Sequence, residues 1–377
     1  MAITIAGAGV ERPRRRKSTI AVALRQTGGV QRGMLITGAV ITGVFVILAI
    51  FAPWISPYGF NDVTNAAGVR FRRLQAPSGA HWFGTTNGQG ADVLSQVIYG
   101  SRTALMVVVL AVLMSLLIGV PLGLYSGYRS GWVDRVLVLI TDALFAFPSL
   151  LLAIVVSIAL VGGTSGEGGG ILAASISITV IYIPQYFRVV RNATISAKQE
   201  PYVEAARAVG ASPWAIMRRY LFGNVVQSVP IIATVNAADA ILTLAGLGFL
   251  GFGIEPSSAS EWGYQLNKAR SDFASDIWWT AVFPGMAIVL LVLGLSLIGE
   301  SLNDVLNPLL RARRLSQVLM PGPVGGPRTR AAVPAAVVPA EGDDGVAMNG
   351  VTFQSATPAV DGSLDRPFGH SASGRNR

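Results

Sequence analysis

Few residues of this 377-residue chain carry chemistry of their own. It has no Cys, which excludes a disulfide, a thiolate metal site and a Cys nucleophile. Its two His, His81 and His370, are too few for a multi-His metal site. No Ser/His/Asp constellation or glutamate–histidine metal motif stands out. A GxxxxGKS/T loop is absent, so the chain does not bind ATP in that manner. Gly166-Glu167-Gly168-Gly169-Gly170 is Gly-rich but has no Lys to meet a phosphate. What remains is a set of polar positions. Asp142 and Asp239 interrupt otherwise charge-free apolar runs, and an ionisable group inside a membrane is a functional candidate by default. Asn236 stands one turn before Asp239. These two either face a translocation path and contact a cationic group such as a peptide amine, or form a buried structural hydrogen-bond pair. Asp142 is likewise either a substrate-path residue or a structural one, paired with Arg135 or with another cation at the cytosolic end of its span. The last candidate is Glu204, in a polar segment between two apolar runs.

These residues need a scaffold, and the composition defines its class. The chain is 51% hydrophobic and 13% charged, against roughly 25% charged in soluble domains. A helix that crosses a bilayer needs ~20 apolar residues. Six runs qualify, predicting spans at about 34–52, 103–125, 136–161, 169–187, 224–250 and 277–300. The first follows a basic stretch, Arg12 to Lys17, as a signal peptide would. Its apolar core is longer than the ~7–15 residues of a signal core, so it reads as an uncleaved anchor. With the N-terminus inside, 23 of the 29 Lys and Arg fall on inside segments. The positive-inside rule therefore predicts an all-α integral membrane protein, N-in and C-in. The net charge of +9 is then a topology signal and gives no support to nucleic-acid binding.

Three regions follow: a basic N-terminal segment 1–33, a transmembrane domain 34–312, and a Pro/Ala/Gly-rich tail 313–377 that reads as disordered. The first outer loop, 53–102, ends in an amphipathic lead-in from Asp92 to Gly100. The last outer loop, 255–276, holds Trp262 and Tyr264, interfacial aromatics like Trp278 and Trp279. Pro121, Pro148, Pro184, Pro230 and Pro284 are expected to kink or end helices.

The inside segment 188–223 is the most informative. Glu200-Pro201 opens a helix, Gly210 closes it, and Ser212 caps a second one with Pro213 at its first position. The result is a helix–tight turn–helix. Ala205, Ala206 and Ala208 keep its surface small, so that another protein can approach. As bare physics the segment is equally a polar connector. Glu204-Ala205-Ala206, three residues and then Gly210 closely resemble the EAA loop of ABC importer permeases. The end of the loop departs from that pattern, with Phe222-Gly223 where the family has Leu-Pro.

Further blocks resemble the C-type permease subunit of dipeptide/oligopeptide importers, a group that includes nickel importers. They are FAPWISPY after the first span, HWFGTTNGQGADVLSQVIYGSRTAL (81–105), GWVDRVLVLITDALFAFPSLLLAI (131–154), GLGFLGFGIEP (246–256) and FPGMAIVLLVLGLSLIGESLNDVLNP (283–308). Gly90-Ala91-Asp92 lacks the basic residue the group often has before its Asp. The resemblance implies a subunit of the bacterial cytoplasmic membrane that pairs with a homologous permease. Two cytosolic ATPases would bind the loop, holding the ATP and Mg, and an extracytoplasmic binding protein would deliver substrate. Glu204, with Ala205 and Ala206, would anchor the loop in an ATPase groove, and Gly210 would set its angle. The chain itself would bind no cofactor. Nickel transport by the same architecture and a stand-alone secondary transporter or channel are the alternatives.

Overall fold

The computed structural model describes residues 29–161 and 169–306, all within one compact unit. The basic segment up to residue 28, the Gly166–Gly168 portion of the Gly-rich loop and the tail from 307 lie outside the described residues. The described residues are helical, with two isolated β-bridges and no strand.

Helix α1 (Gly29–Ile50) begins five residues before its predicted span. Helix α2 (Val93–Arg129) fuses the lead-in and the second span into 37 residues, about 55 Å at the helical rise. Gly100 does not interrupt it, because that glycine makes room for a neighbour: a Cβ there would fall 2.2 Å from Trp262 Nε1. Asp92 starts the helix by accepting a hydrogen bond from the Ser95 backbone N–H.

The predicted span 136–161 is the main departure. It is two helices, α3 (Trp132–Ala146) and α4 (Ser149–Val161), bent by 100°. Pro148 disfavours helical backbone at the residue before it, and Phe147 is extended at φ −79°, ψ 139°. Pro121 and Pro184 lie inside helices, and Pro230 sits in the first turn of one.

Helix α5 (Gly169–Ala197) runs ten residues beyond its predicted span. After α6 (Pro201–Ala208), a π turn (Ile216–Leu221) and two short helical turns lead into α7 (Val229–Phe249). The expected boundary at Gly223 is therefore helix. Helix α8 (Trp262–Phe273) occupies what reads as an outer loop. Helix α9 (Trp279–Leu306) contains Pro284. Among the described residues five helices are long and apolar enough to cross a membrane, and the α3–α4 pair makes a sixth if it is one broken span.

Helices α2 and α5 pack closely along much of their length. Gly119, Gly123 and Gly127 recur every fourth residue on α2, and Cβ atoms at Gly123 and Gly127 would lie 2.6 and 2.7 Å from the Phe187 and Arg191 carbonyl oxygens. Small residues at this spacing let membrane helices approach backbone to backbone. Around this contact Ile178, Tyr186, Phe187 and Val190 are buried, with Leu244 of α7 nearby in the core.

The two ends of α2 carry the polar structure. At its Asp92 end, His81 Nδ1 meets Asp92 Oδ1 at 2.8 Å, both side chains buried, with Tyr58 and Phe71 against the imidazole. At its Arg129 end lies the segment 188–228.

Candidate functional site: the helical segment 198–228

Local sequence rules shape this segment. Glu200 takes the extended backbone of an N-cap (φ −71°, ψ 143°), and Pro201 occupies the first turn of α6, where no backbone donor is needed. At the other end Ala211 N donates to Ala206 O at 3.0 Å and Gly210 N to Arg207 O at 2.9 Å. This pair of bonds is the Schellman closure, and it requires a left-handed residue. Gly210 supplies it at φ +80°. The Ser212 hydroxyl then accepts from Ala215 N at 3.3 Å, with Pro213 next. The expected helix–turn–helix is present.

One face of this unit is anchored and the other is free. Val203, Ala206, Ile216 and Leu221 are buried in the core, whereas Glu204, Ala205 and Gly210 are exposed. The small-residue surface proposed for a partner therefore excludes Ala206, which faces the bundle. At the tip, Val209 is 81% exposed and Trp214 67%. Such side chains on a well-capped turn form an apolar surface open to a partner.

Polar contacts tie the segment to the bundle. Lys198 Nζ donates to Gly127 O at 3.0 Å and to Ser130 Oγ at 2.8 Å, joining α5 to the end of α2. Arg207 stacks over Tyr128 at 5.8 Å. Asn224 Nδ2 donates to Tyr202 Oη at 2.8 Å, clamping the second helix to the first. Arg191 grips Asp134 with two bonds of 2.6 and 2.7 Å, and the Ser126 hydroxyl also donates to Asp134. Sequence reasoning missed Asp134. Its place in the first turn of α3, where acidic side chains favour the helix dipole, was the available signal.

Asp142 pairs not with Arg135 but with Arg188, a cation that the sequence left unnamed, at 2.7 Å, with its guanidinium 4.2 Å over Phe145. Arg135 makes no ion pair among the described residues. Asn236 and Asp239 are not joined by a hydrogen bond. Asn236 is buried, and its Nδ2 has no partner among the described residues. Asp239 is exposed on the side of α7 and accepts from Tyr182 Oη of α5 at 2.8 Å. Tyr182 is a second residue that sequence reasoning missed, because its pairing crosses two helices.

An all-helical bundle with several membrane-length helices and a capped, exposed helical elbow at one end defines the class: a multi-pass membrane protein. The comparisons agree. Residues 119–312, just over half of the chain, match the family described as binding-protein-dependent transport system inner membrane component. Residues 31–77 match the N-terminal TM domain of oligopeptide transport permease C. The chain is 37% identical over 279 residues to the glutathione transport system permease protein GsiD of Pectobacterium atrosepticum, covering 73% of this chain and 88% of that one. It is 36% identical over 279 residues to the dipeptide transport system permease protein DppC of Alkalihalophilus pseudofirmus, covering 74% and 87%. The chain belongs to the binding-protein-dependent transport system inner membrane component family, and is a multi-pass protein of the bacterial inner membrane.

Proposed function

We propose that this chain is the permease subunit of an ABC importer that carries short peptides across the inner membrane. The observation that carries the reading is the elbow at Glu204–Gly210, exposed at its tip and continuous through helical turns with α7. The relatives named for dipeptide and glutathione transport favour a peptide over nickel. The chain spans the membrane six times, N-in and C-in, within residues 34–312, the α3–α4 pair serving as a single broken span.

The mechanism follows from the attachments. Cytosolic ATPase subunits, which hold the ATP and Mg, dock on Glu204, Ala205 and the apolar tip. Gly210 fixes the angle of the elbow, so a push on α6 moves as one piece with the turns leading to α7. Lys198 and Arg207 pass the same displacement to the end of α2, and Arg191–Asp134 passes it to α3. This chain performs no bond chemistry and binds no cofactor of its own. A second, homologous permease covers the exposed carboxylate of Asp239, since an ionisable group on a spanning helix faces protein or a water-filled path, not lipid. Asp239, with Tyr182 and Asn236 beside it, lines that path, and Asp142–Arg188 braces its inner end. An extracytoplasmic binding protein supplies the substrate.

Glu204→Lys and Gly210→Pro in the reconstituted transporter test the reading. Both are expected to abolish ATP-dependent uptake of di- and tripeptides while membrane insertion persists. Wild-type uptake by both variants overturns it.

A further inference from the structure

A second polar site lies at the other end of the bundle. A cavity of about 630 Å³ opens between the first outer loop and α8. That volume falls inside the ~300–1,000 Å³ range of small-molecule sites. Its walls come from Asn61, Arg73 and Asn87 on one side and Gln265, Lys268 and Thr280 on the other.

The bonding state of these groups defines a ligand. The two carboxylates in the wall are already satisfied. Asp272 accepts from Asn87 Nδ2 at 2.8 Å. Glu261 accepts from the Gly263 and Tyr264 backbone N–H groups, each at 2.7 Å. The two cations are not. Arg73 and Lys268 are exposed and have no carboxylate partner among the described residues; Lys268 has only the face of Tyr264, at 5.3 Å. The cavity therefore holds two cations free of direct ion pairs, beside two carboxyl groups whose hydrogen-bonding capacity is taken up by neutral donors.

Two buried atoms in the wall also lack partners. Thr280 is 5% exposed, and its Oγ1 makes no hydrogen bond among the described residues. Gln265 Oε1 is buried and unpaired in the same sense. The Gln265 amide cannot be turned round to relieve this. Its Nε2 is held by Ser260 Oγ at 2.7 Å and Gln96 O at 3.3 Å, so its oxygen must face the other way. A buried acceptor left empty is costly, and a ligand N–H removes that cost.

We infer that this cavity is a reception subsite for a short peptide, whose carboxylate is held by Arg73 and Lys268 and whose N–H groups satisfy Gln265 Oε1. A peptide carries the anion and the donors on one small molecule. The inference rests on the peptide-importer reading above and adds where the incoming peptide first meets this subunit.

The test uses the complete transporter in nanodiscs, without ATP and without the binding protein, and radiolabelled trialanine as probe. The wild type is expected to bind trialanine. The double variant R73Q/K268Q changes two exposed side chains and keeps the fold; it is expected to bind at least tenfold more weakly. Trialanine amide, which lacks the carboxylate, is expected to compete at least tenfold less well. Equal binding by variant and wild type overturns the subsite, as does equal competition by the amide. Absence of trialanine binding in the wild type also overturns it. If R73Q/K268Q instead weakens association with the binding protein, the cavity is a docking point for that protein and the inference falls. Failure of either kind is separable from failure of the importer reading, which is judged by ATP-driven peptide uptake of the wild type with its binding protein present.

Discussion

At the Arg129 end of α2 the elbow is shaped by neighbours in sequence, whereas at the Asp92 end the cavity wall comes from segments far apart. The elbow is made by Glu200, Pro201, Gly210, Ser212 and Pro213, and each shapes backbone within a few residues of itself. The opposite end is held by bonds between residues 165 to 195 apart: Asn87 to Asp272, Asn61 Nδ2 to the Pro256 carbonyl, Trp262 Nε1 to the Val97 carbonyl and Trp279 Nε1 to the Thr85 carbonyl. A part that transmits force must keep its shape when its neighbours move, and local capping gives it that independence. A part that receives a ligand needs converging groups from several directions, and only long-range packing brings them together.

The contrast predicts different consequences of damage at the two ends. The largest effect belongs to Arg191→Gln at the elbow end. It removes both bonds to Asp134, whose side chain is 15% exposed, and leaves that carboxylate uncompensated. The pair is partly exposed, so the cost lies below the ~3 kcal/mol that marks the low end for breaking a fully buried pair. Uptake should fall at least tenfold, with much of it restored by adding Asp134→Asn; a double-mutant cycle with no coupling would show that the pair transmits nothing.

At the receiving end Asp92→Ala should act on stability instead. It removes the cap of α2 and the partner of His81 together, for about 2 kcal/mol at the upper end of cap losses. Thermal unfolding in detergent should shift down, while transport per folded molecule stays near wild type. Loss of transport without loss of stability would move Asp92 into the working machinery.

The smallest effect concerns pH. Burial pushes the Glu261 carboxyl up to about 7 from its usual 4.5, against the pull of its two backbone donors. The folded protein then keeps this proton over a range where the unfolded chain has lost it, so raising the pH from 4.5 to 7 removes stability. Glu261→Gln, which carries no titrating proton, is expected to flatten the midpoint-versus-pH curve in that window. An unchanged slope would place the pH dependence elsewhere.

The local half of the molecule was legible before the structure. Gly210 and Ser212 announce a turn and a cap because those residue types favour one backbone geometry wherever they stand. The apolar runs fall on the long apolar helices, although α2 starts ten residues before its run and α5 ends ten residues after its own. Helix ends were read less well. Residues 188–197 are polar and read as loop, yet they continue α5 to Ala197, because hydropathy reports where a helix leaves lipid and not where it stops. Helix α8 was missed for a similar reason. Its aromatics suggested an interface, while its start is set by Glu261 accepting from Gly263 and Tyr264. Asp142, Asn236 and Asp239 were identified as unusual, but their partners were not. Arg188 and Tyr182 lie 46 and 57 residues from the carboxylates they meet, and no periodicity encodes such a pairing.

The sequence by itself determined the class of this protein, its apolar helices, the asymmetry of its basic residues and the capped elbow that carries Glu204. All of these depend on composition or on residues within a turn or two of one another. Tertiary structure alone decided the 100° angle of the α3–α4 break that Pro148 locates, the side of the elbow that is free, the Arg191–Asp134 link and the cavity beside Arg73 and Lys268. The physical reason is range. Backbone preference acts over a few residues, whereas a charge pair or a cavity exists only after distant helices have closed on one another.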